Sequence, residues 1–292
     1  MPITIEPLGG LGNQLFVYAL GLTLAERLAT TVEADLWRFH KYPWHIYELD
    51  SFPTHIGRTY TSMVRKRVGH RLRLGPQAMT RLGFRSTGLW GHLVMESEST
   101  FDSGILDSKD NSRLSGYFQS WRYFEPVADQ IRNDLLSPIH SSEWLDHTRR
   151  HLASRGEWVA VHVRLGNYTQ ITAMGVVDSG YYERSLALID SLHGKLPVAV
   201  FSDQPELVAQ MTCFRGDRFE IVISPQNTRA IDTMIAMSEA TALIIGNSTF
   251  SWWAAFIGDK PGRTVVAPRP WLDSKTYDER DLLPLHWYTV GR

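Results

Sequence analysis

The sequence predicts an α/β fold built on doubly wound parallel sheets, and three observations support this prediction. The chain opens with a strand, a glycine-rich turn and a helix, which is the start of a βαβ unit. Five short β-branched segments separated by helix-length spacers follow in its second half. At 292 residues the chain is long enough for about two domains. We place these domains at 1–152 and 153–292.

The first domain begins with a strand predicted over Ile3–Glu6. Apolar residues then recur at helical spacing, and Thr31–Ala34 resumes a strand. This strand, helix and strand have the length of a parallel crossover unit. Arg113–Gln119 is a further strand candidate, and the amphipathic segment Trp144–Ala153 is interpreted as the helix that connects the two domains.

The second domain is predicted from five apolar, β-branched segments, each of a length typical of a strand buried on both faces. Their alternation with helix-length spacers is typical of a doubly wound parallel sheet. The segments are Trp158–Val163, Val198–Ser202, Glu220–Ile223, Leu243–Ile245 and Thr264–Ala267.

Composition excludes several classes of protein. Lys and Arg number 30 and Asp and Glu 31, which gives a formal net charge of -1. The chain therefore has no excess of positive charge to attract nucleic acid, and no nucleic-acid partner is expected. The single cysteine, Cys213, cannot form an internal disulfide and is typical of a reducing compartment. The N-terminus lacks a signal-peptide pattern, and no apolar segment approaches the ~18 residues of a membrane span. We therefore expect a cytoplasmic protein.

One segment departs from this balance of charge. Between residues 51 and 95 the chain has no Asp or Glu but carries eight Lys or Arg residues, all within 58–85. A solvated helical face is one interpretation of this pattern. The other is contact with an anionic membrane surface through 58–85, which would make the protein membrane-peripheral.

The first candidate site is the glycine-rich turn before the first helix. Gly9, Gly10 and Gly12 let a ligand approach the backbone, and the helix N-terminus favours a negative group. A dinucleotide-binding fingerprint needs a third glycine, where Leu15 stands. On this loop alone, an oxidoreductase with Asp35 as its ribose ligand, a sugar-nucleotide site and a simple tight turn all remain open.

The second candidate site lies at the end of the strand Trp158–Val163, where doubly wound sheets bind ligands. Strand alternation places His162 and Arg164 on the same side. An internal ion pair or a core histidine is the structural alternative. The functional alternative puts Arg164 on a phosphate, because its fork of donors suits bidentate contact.

The third candidate site follows the strand Leu243–Ile245, where the sequence reads Gly-Asn-Ser-Thr before Trp252 and Trp253. These four are turn and N-cap residue types, so a helix is predicted to begin here. A plain capped helix is one interpretation, and a rigid scaffold beneath a ligand is the other. No Asp-x-Asp, His-Glu-x-x-His or Walker motif occurs, so no metal site is predicted.

Together the three segments resemble the α-1,2-fucosyltransferase family. Its members open with Gly-Gly-Leu-Gly-Asn-Gln, carry His-x-Arg-Arg-Gly-Asp-Tyr in mid-chain and end with Asn-Ser-Ser-Phe-Ser-Trp-Trp. Here these motifs stand at Gly9–Gln14, His162–Tyr168 and Asn247–Trp253. Gly116–Ser120 and Phe201–Asp203 also look like the family's pattern, so the resemblance spans nearly the whole chain in order.

The resemblance implies two Rossmann-like domains facing across a cleft, the GT-B type of glycosyltransferase. The acceptor side would lie in 1–152 and the GDP-sugar site in 153–292. It also implies transfer of L-fucose from GDP-fucose to the 2-hydroxyl of a galactoside, with inversion and without a metal or another cofactor. The expected partners are GDP-fucose and a galactose-containing oligosaccharide acceptor.

The same resemblance implies roles for single residues. Arg164 would hold the β-phosphate and offset the charge that develops on departing GDP, the task that a bound metal performs in other transferases. His162 and Asp203 would lie near the ribose and guanine. The other donor-binding residues would be Gly10, Gly12, Asn13, Gln14, Asn247, Ser248, Thr249, Phe250 and Ser251.

Two positions depart from the family's central motif. Leu165 replaces its second arginine and Asn167 its aspartate, yet an inverting displacement needs a base near the acceptor hydroxyl. Asp178 is the preferred candidate for this catalytic base, with Glu239 and Asp35 as alternatives. The departures also motivate two alternative functions: transfer from another GDP-deoxyhexose or to another acceptor, and a GDP-sugar-binding homologue without catalysis.

Overall fold

The computed structural model describes residues 1–41, 46–52, 56–59, 92–137, 141–166, 175–274 and 277–292. The chain divides into two compact units, Met1–Ile131 and Arg132–Arg292. Each unit has its own sheet, one of five strands and one of six, and the strand pairs within the described ranges are parallel. The predicted α/β fold with parallel sheets is confirmed.

The sheet of the first unit has the strand order β3-β2-β1-β5-β4. Its strands are β1 (Ile3–Ile5), β2 (Val32–Asp35), β3 (Gly57–Thr59), β4 (His92–Met95) and β5 (Ser112–Ser115). Within the described ranges, its helices are α1 (Leu11–Arg27), α2 (Trp37–Lys41) and α3 (Ser103–Leu106).

Helix α1 joins β1 to β2 and confirms the predicted opening βαβ unit. It is buried over most of its length because apolar residues occupy nearly all of its faces. The strand predicted over Arg113–Gln119 ends earlier, at Ser115, because the backbone turns at Phe118, which has a φ of 50°.

The sheet of the second unit has the strand order β11-β10-β9-β6-β7-β8. Its strands are β6 (Val159–Val163), β7 (Val198–Ser202), β8 (Phe219–Val222), β9 (Ala242–Ile244), β10 (Thr264–Arg269) and β11 (Tyr288–Gly291). The helices described in this unit are α5 (Glu143–Ala153), α6 (Ser179–His193), α7 (Pro205–Val208), α8 (Ala230–Ser238) and α9 (Thr249–Ile257). A further helix, α4 (Ala128–Leu136), crosses the boundary between the two units.

Counted along the chain, the strands of the second sheet follow the Rossmann order 3-2-1-4-5-6, so the order reverses between β6 and β9. The five predicted strands of this sheet are all present. The sixth, β11, was not predicted because it is an edge strand whose residues are mostly exposed, so it lacks a continuous apolar segment.

The boundary between the units lies earlier than the predicted 152/153 because α5 packs on the second unit. Leu145 of this helix is fully buried, and the Trp144 indole N–H donates to the Ile223 carbonyl oxygen at 3.1 Å. His151 Nε2 lies 2.8 Å from the Glu220 carboxylate. Helix α5 is therefore part of the second unit rather than a connection.

Nearly all of the basic segment 58–85 lies outside the described residues, and its predicted membrane contact stays a prediction. Arg58 is described, and it pairs with Asp50. Within the described ranges, no helix combines the length and apolar character needed to cross a membrane.

Candidate functional site

The strands β6 and β7 bring two charged side chains together at the carboxyl edge of the second sheet. Arg164 comes directly after β6, and Asp203 directly after the neighbouring β7. Arg164 Nη1 lies 3.1 Å from Asp203 Oδ2, and the side chains are 33% and 24% exposed. The Leu165 N–H donates to Asp203 Oδ1 at 3.0 Å. Asp203 therefore fixes both the loop after β6 and the direction of the guanidinium.

The loop after β6 requires a glycine two residues beyond the arginine. A Cβ atom at Gly166 would collide with the Asp203 carboxylate, so only glycine allows the carboxylate to reach back to the Leu165 N–H. Asn167 and Tyr168, the last two residues of this motif, lie outside the described residues.

The turn between β9 and α9 lies against the same strand end. A Cβ atom at Gly246 would be 3.2 Å from the His162 carbonyl oxygen and 3.8 Å from the Arg164 backbone nitrogen. Helix α9 begins three residues later, at Thr249, and its N-cap, Ser248, makes no side-chain capping bond. The positive end of the α9 dipole and the Arg164 guanidinium therefore lie at one edge of this unit.

These two turns stand where the strand order of the second sheet reverses, between β6 and β9. Ligands of doubly wound sheets bind outside the carboxyl strand ends at this switch point. An arginine and a helix N-terminus are both groups that bind phosphate. The second unit thus presents an arrangement suited to the diphosphate of a nucleotide-linked substrate.

His162 lies beneath this edge rather than on it. Only 4% of the residue is exposed, its ring centroid is 5.6 Å from that of Phe250, and its Nδ1 has no hydrogen-bond partner within the described ranges. Burial, followed by the nearby Arg164 charge, lowers the pKa of the imidazole to about 3. At this depth the neutral imidazole supports the ring of Phe250, and its predicted contact with the ribose or guanine stays a prediction.

The burial of His162 predicts a specific loss of stability in weak acid. The unfolded imidazole gains a proton below its ordinary pKa of about 6.5, whereas the folded one stays neutral down to about pH 3. The unfolded chain therefore binds more protons in this window, and the free energy of unfolding falls as the pH drops from 6.5 towards 3. Between pH 7 and pH 5 we expect this residue alone to remove about 2 kcal/mol.

Urea denaturation of the wild type and of His162→Gln at both pH values measures this loss. The variant should show a pH dependence weaker by about 2 kcal/mol. His147→Gln is the matched control, because His147 is exposed on α5 and should leave the wild-type dependence intact. Equal pH dependence in the wild type and in His162→Gln would refute the assignment.

The Ser251 hydroxyl is hydrogen-bonded in the interior of the protein. Its Oγ donates to the Ser248 carbonyl oxygen at 3.1 Å, and the residue is completely buried. Trp252 and Trp253 are completely buried as well, and the Trp252 indole N–H donates to the Leu282 carbonyl oxygen at 2.9 Å. Contrary to expectation, Ser251 is therefore placed as part of the rigid base of α9, without a surface that a donor could touch.

The remaining predicted residues of this turn differ in their exposure. Asn247 and Ser248 are buried, and the Asn247 side-chain amide donates to the Gly175 carbonyl oxygen at 3.0 Å. Thr249 and Phe250 are half-buried. Of the five predicted residues in this segment, Thr249 and Phe250 thus offer the most accessible side chains.

Asp178 is the N-cap of helix α6. Its Oδ1 accepts the Tyr181 N–H at 2.8 Å, and Arg184 lies 4.0 Å from the same oxygen. The side chain is 68% exposed. Helix α6 follows β6 along the chain, so its N-terminus stands at the carboxyl edge of the sheet that also carries Arg164. The position is compatible with a catalytic base, and the capping bond is a structural role that a substitution must preserve.

The two alternative bases are held in ion pairs. Glu239 pairs with Arg149 and stands just before β9, at the amino edge of the second sheet and thus opposite Arg164. Asp35 is almost completely buried in the first unit, 2.6 Å from Arg113 Nη1. Neither position suits a group that must accept a proton from a substrate.

In the first unit, Gln14 holds the glycine-rich turn in place. Its side-chain amide donates to the carbonyl oxygens of Gly9, at 2.9 Å, and Ile46, at 2.7 Å. Its Oε1 accepts the Glu48 N–H at 3.0 Å, and the residue is completely buried. The predicted donor contact of Gln14 is therefore not supported, because both amide protons bind backbone and the side chain reaches no surface.

The N-terminus of α1 already has a negative group from the chain itself. The Leu11 N–H, at the first residue of the helix, donates to the Glu48 carboxylate, while burial raises the pKa of this carboxyl group. The Glu48 carboxylate therefore occupies the helix N-terminus at which the sequence predicts a negative group. Sequence reasoning missed it because a lone glutamate 37 positions further along has no spacing signal.

The other predicted residues of this turn divide by exposure. Gly12 is buried within α1, whereas Gly10 is exposed and has open space where a side chain would stand. Asn13 is half-buried, and its Oδ1 accepts the Gln119 side-chain N–H at 3.0 Å. Gly10 and Asn13 thus present the accessible part of the turn, beside the switch point between β1 and β5.

Comparison with known proteins identifies relatives of the whole chain. A family model described as "Glycosyl transferase family 11" matches residues 96–290. An alpha-1,2-colitosyltransferase of Escherichia coli is 27% identical and covers 97% of this chain and 97% of its own length. The O-antigen biosynthesis glycosyltransferase WbnK of Escherichia coli is also 27% identical and covers 90% of this chain and 93% of its own length.

A third relative and a solved structure extend the comparison. The galactoside 2-alpha-L-fucosyltransferase of Caenorhabditis elegans is 25% identical, over 60% of this chain and 51% of the relative. The crystal structure of fucosyltransferase NodZ from Bradyrhizobium matches with a TM-score of 0.53 and 15% identity, over 87% of this chain and 91% of that one. The likeness confirms a fold of the GT-B type.

Proposed function

The chain belongs to glycosyl transferase family 11, and on that premise we propose that it moves a 6-deoxyhexose from a GDP-linked donor to the 2-hydroxyl of a galactoside in a glycan. The observation that carries the donor assignment is the Arg164–Asp203 pair beside the N-terminus of α9, at the switch point of the second sheet. Two positive groups at this point suit a diphosphate.

Two deoxyhexoses are candidates for the transferred sugar. L-Fucose is the sugar that the α-1,2-fucosyltransferase resemblance implies, and NodZ and the Caenorhabditis elegans relative are named for fucosyl transfer. The Escherichia coli relative that covers 97% of this chain is instead named a colitosyltransferase, which favours colitose as the second candidate. Colitose is fucose without its 3-hydroxyl, so one site could accept both.

The proposed reaction is a single displacement at the anomeric carbon. The acceptor oxygen forms a bond to this carbon while the bond to the β-phosphate oxygen breaks, and GDP leaves with the electron pair. Negative charge therefore grows on the diphosphate, where the guanidinium and the helix dipole stabilise it. Because attack comes from the face opposite GDP, a β-linked donor gives an α-linked product.

In this mechanism each of the site residues Arg164, Asp203, Asp178 and Phe250 has one task. Arg164 binds the β-phosphate through its fork of donors, and Asp203 holds that fork in position. Asp178 takes the proton from the acceptor hydroxyl. The half-buried Phe250 lines the site above the neutral ring of His162.

A donor panel tests the proposal. Purified protein is incubated with GDP-fucose, GDP-colitose or GDP-mannose and with methyl β-galactoside, and the products are identified by mass spectrometry. We expect transfer from at least one of the two deoxyhexose donors and none from GDP-mannose. Binding of GDP without turnover on any donor would favour the alternative of a GDP-sugar-binding homologue that has lost catalysis.

The same assay tests independence from metal. Because Arg164 and α9 are assigned the charge that a metal would otherwise offset, excess EDTA should lower the initial rate by less than about twofold. A control reaction with EDTA and excess Mg²⁺ separates chelation from ionic-strength effects. A rate that collapses with EDTA and returns with one divalent cation would contradict this part of the mechanism.

A further inference from the structure

A cavity of about 380 Å³ lies at the carboxyl edge of the first unit's sheet, beyond the end of β4. Its volume falls within the usual range for small-molecule sites, about 300–1,000 Å³. None of the residues above assigned to the donor or to catalysis lines it. Residues that line it include Ser97, Glu98, Thr100, Phe101, Asp102 and Ser103.

The side chains of this cavity suit a neutral polyhydroxyl ligand. Ser97, Thr100 and Ser103 contribute hydroxyl groups, and Glu98 and Asp102 contribute carboxylates, and no lysine or arginine is among the described residues that line the cavity. Carboxylates and hydroxyls accept hydrogen bonds from sugar hydroxyls. They also repel a diphosphate, so the cavity selects against the GDP part of a donor.

The cavity is held in a fixed position relative to the glycine-rich turn. Glu96, the residue just before it, accepts the backbone N–H groups of Tyr117 at 2.7 Å and Phe118 at 2.8 Å. These bonds hold Phe118 in its left-handed conformation and lead directly into Gln119, which donates to Asn13 at 3.0 Å. The end of β4, the loop after β5 and the glycine-rich turn therefore form one hydrogen-bonded frame.

An aromatic contact connects the same loop to the wall of the cavity. The ring of Phe118 lies 6.0 Å from that of Tyr123, which in turn lies 4.9 Å from the ring of Phe101. Tyr123 and Phe101 both line the cavity. The Tyr123 hydroxyl also accepts the Asp102 N–H at 2.9 Å, which fixes the acidic side of the wall.

We propose that this cavity binds the sugar units of the acceptor glycan that lie beyond the galactose to be modified. This proposal rests on the proposed function only for the statement that the acceptor is a galactose-terminated glycan. Its size fits one or two pyranose rings, its groups match sugar hydroxyls, and its frame extends to the accessible Gly10 and Asn13. The cavity thus acts as a subsite that distinguishes long acceptors from single galactosides.

Direct binding tests the subsite without any donor. Lacto-N-tetraose, a tetrasaccharide with a terminal β-galactose, and methyl β-galactoside are titrated into the wild type and into a variant carrying Glu98→Gln and Thr100→Val. Both substitutions keep side-chain volume and change only hydrogen bonding and charge. We expect the variant's Kd for the tetrasaccharide to rise about tenfold, as for one or two lost hydrogen bonds, with the Kd for methyl β-galactoside unchanged.

Asp107→Asn is the matched control, because Asp107 is an exposed carboxylate of the same unit that does not line the cavity. It should bind both sugars as the wild type does. Three outcomes would overturn the subsite. The variant could bind the tetrasaccharide as tightly as the wild type does, or it could lose affinity for both sugars equally. The wild type itself could bind the tetrasaccharide and methyl β-galactoside with equal affinity.

The outcome is separable from that of the proposed function. Turnover of the variant with methyl β-galactoside should equal that of the wild type, because the cavity contacts sugars that this acceptor lacks. A protein that binds the tetrasaccharide through the cavity but transfers no deoxyhexose would keep the subsite and refute the proposed function. If the wild type transfers deoxyhexose while the variant binds both sugars with wild-type affinity, the proposed function is kept and the subsite is refuted.

Discussion

Replacing Arg164 with alanine should lower turnover by about 10³-fold or more, while the protein folds and its acceptor binding stays intact. Arg164 is the cation assigned to the diphosphate at the switch point of the second sheet, and Asp203 holds it there at 3.1 Å. Its contribution grows as the leaving group gains charge, so the loss should fall mainly on kcat. Arg164→Lys should recover only a small part of the turnover lost in Arg164→Ala, because one ammonium group cannot reproduce a fork of donors.

The control for this prediction is Arg149→Ala. Arg149 belongs to the same unit, has a comparable exposure of 31% and also pairs with a carboxylate, but it stands with Glu239 at the opposite edge of the sheet. Steady-state kinetics with the best donor of the panel should therefore give near-wild-type turnover for Arg149→Ala. Equal losses in both variants would mean that Arg164 acts only through the stability of the unit.

Replacing Asp178 with asparagine should reduce turnover by about 10²-fold or more with little change in the affinity for GDP. Asparagine is as good an N-cap as aspartate, so the bond to the Tyr181 N–H survives and α6 keeps its start. What the substitution removes is the ability to accept a proton. Single-turnover kinetics and calorimetric titration with GDP measure the two quantities separately.

Thermal unfolding checks that the cap is preserved, and the Tm of Asp178→Asn should match that of the wild type. Asp178→Ala is the informative companion, because it loses both the cap and the carboxylate and should be less stable by about 1 kcal/mol. Near-wild-type turnover of Asp178→Asn would reject Asp178 as the base and leave the capping bond as its whole role.

The sequence predicts the fold well where strands are buried on both faces. Val159–Val163 and Val198–Ser202 are short, continuous apolar segments, and such segments occur mainly in parallel sheets covered by helices. Tyr288–Gly291 lacks that signal because it lies at the edge of the sheet, with mostly exposed residues. The same physical reason explains why the exposed strand His92–Met95 was not predicted.

The candidate site was predicted in part, because sequence motifs identify residues that matter without separating contact from support. The pairing of Arg164 with Asp203 follows from two adjacent parallel strands that end together. The sequence predicts both strands but not that they are neighbours. Gln14 and Ser251 belong to the same motifs, yet both are completely buried and bind backbone. Only the three-dimensional structure reveals how deep each motif residue lies.

Contacts between distant parts of the chain were not predictable for a different reason. Glu48 reaches the N-terminus of α1, and Glu96 holds the loop that contains Phe118, across separations with no periodic signal. A carboxylate that binds backbone N–H groups leaves no local pattern in a single sequence, because many exposed glutamates occur at equivalent spacings. These two carboxylates were therefore found only from the hydrogen bonds.

The most direct test of the central assignment is the structure of the product. GDP-fucose and methyl β-galactoside are incubated with the protein, and the disaccharide is analysed by NMR spectroscopy for its linkage position and anomeric configuration. Inverting transfer to the 2-hydroxyl predicts a single product with an α-linked deoxyhexose on that oxygen; if GDP-fucose fails, GDP-colitose must give the corresponding product. A β-linked product, a different linkage position, or hydrolysis of both donors without transfer would contradict the assignment.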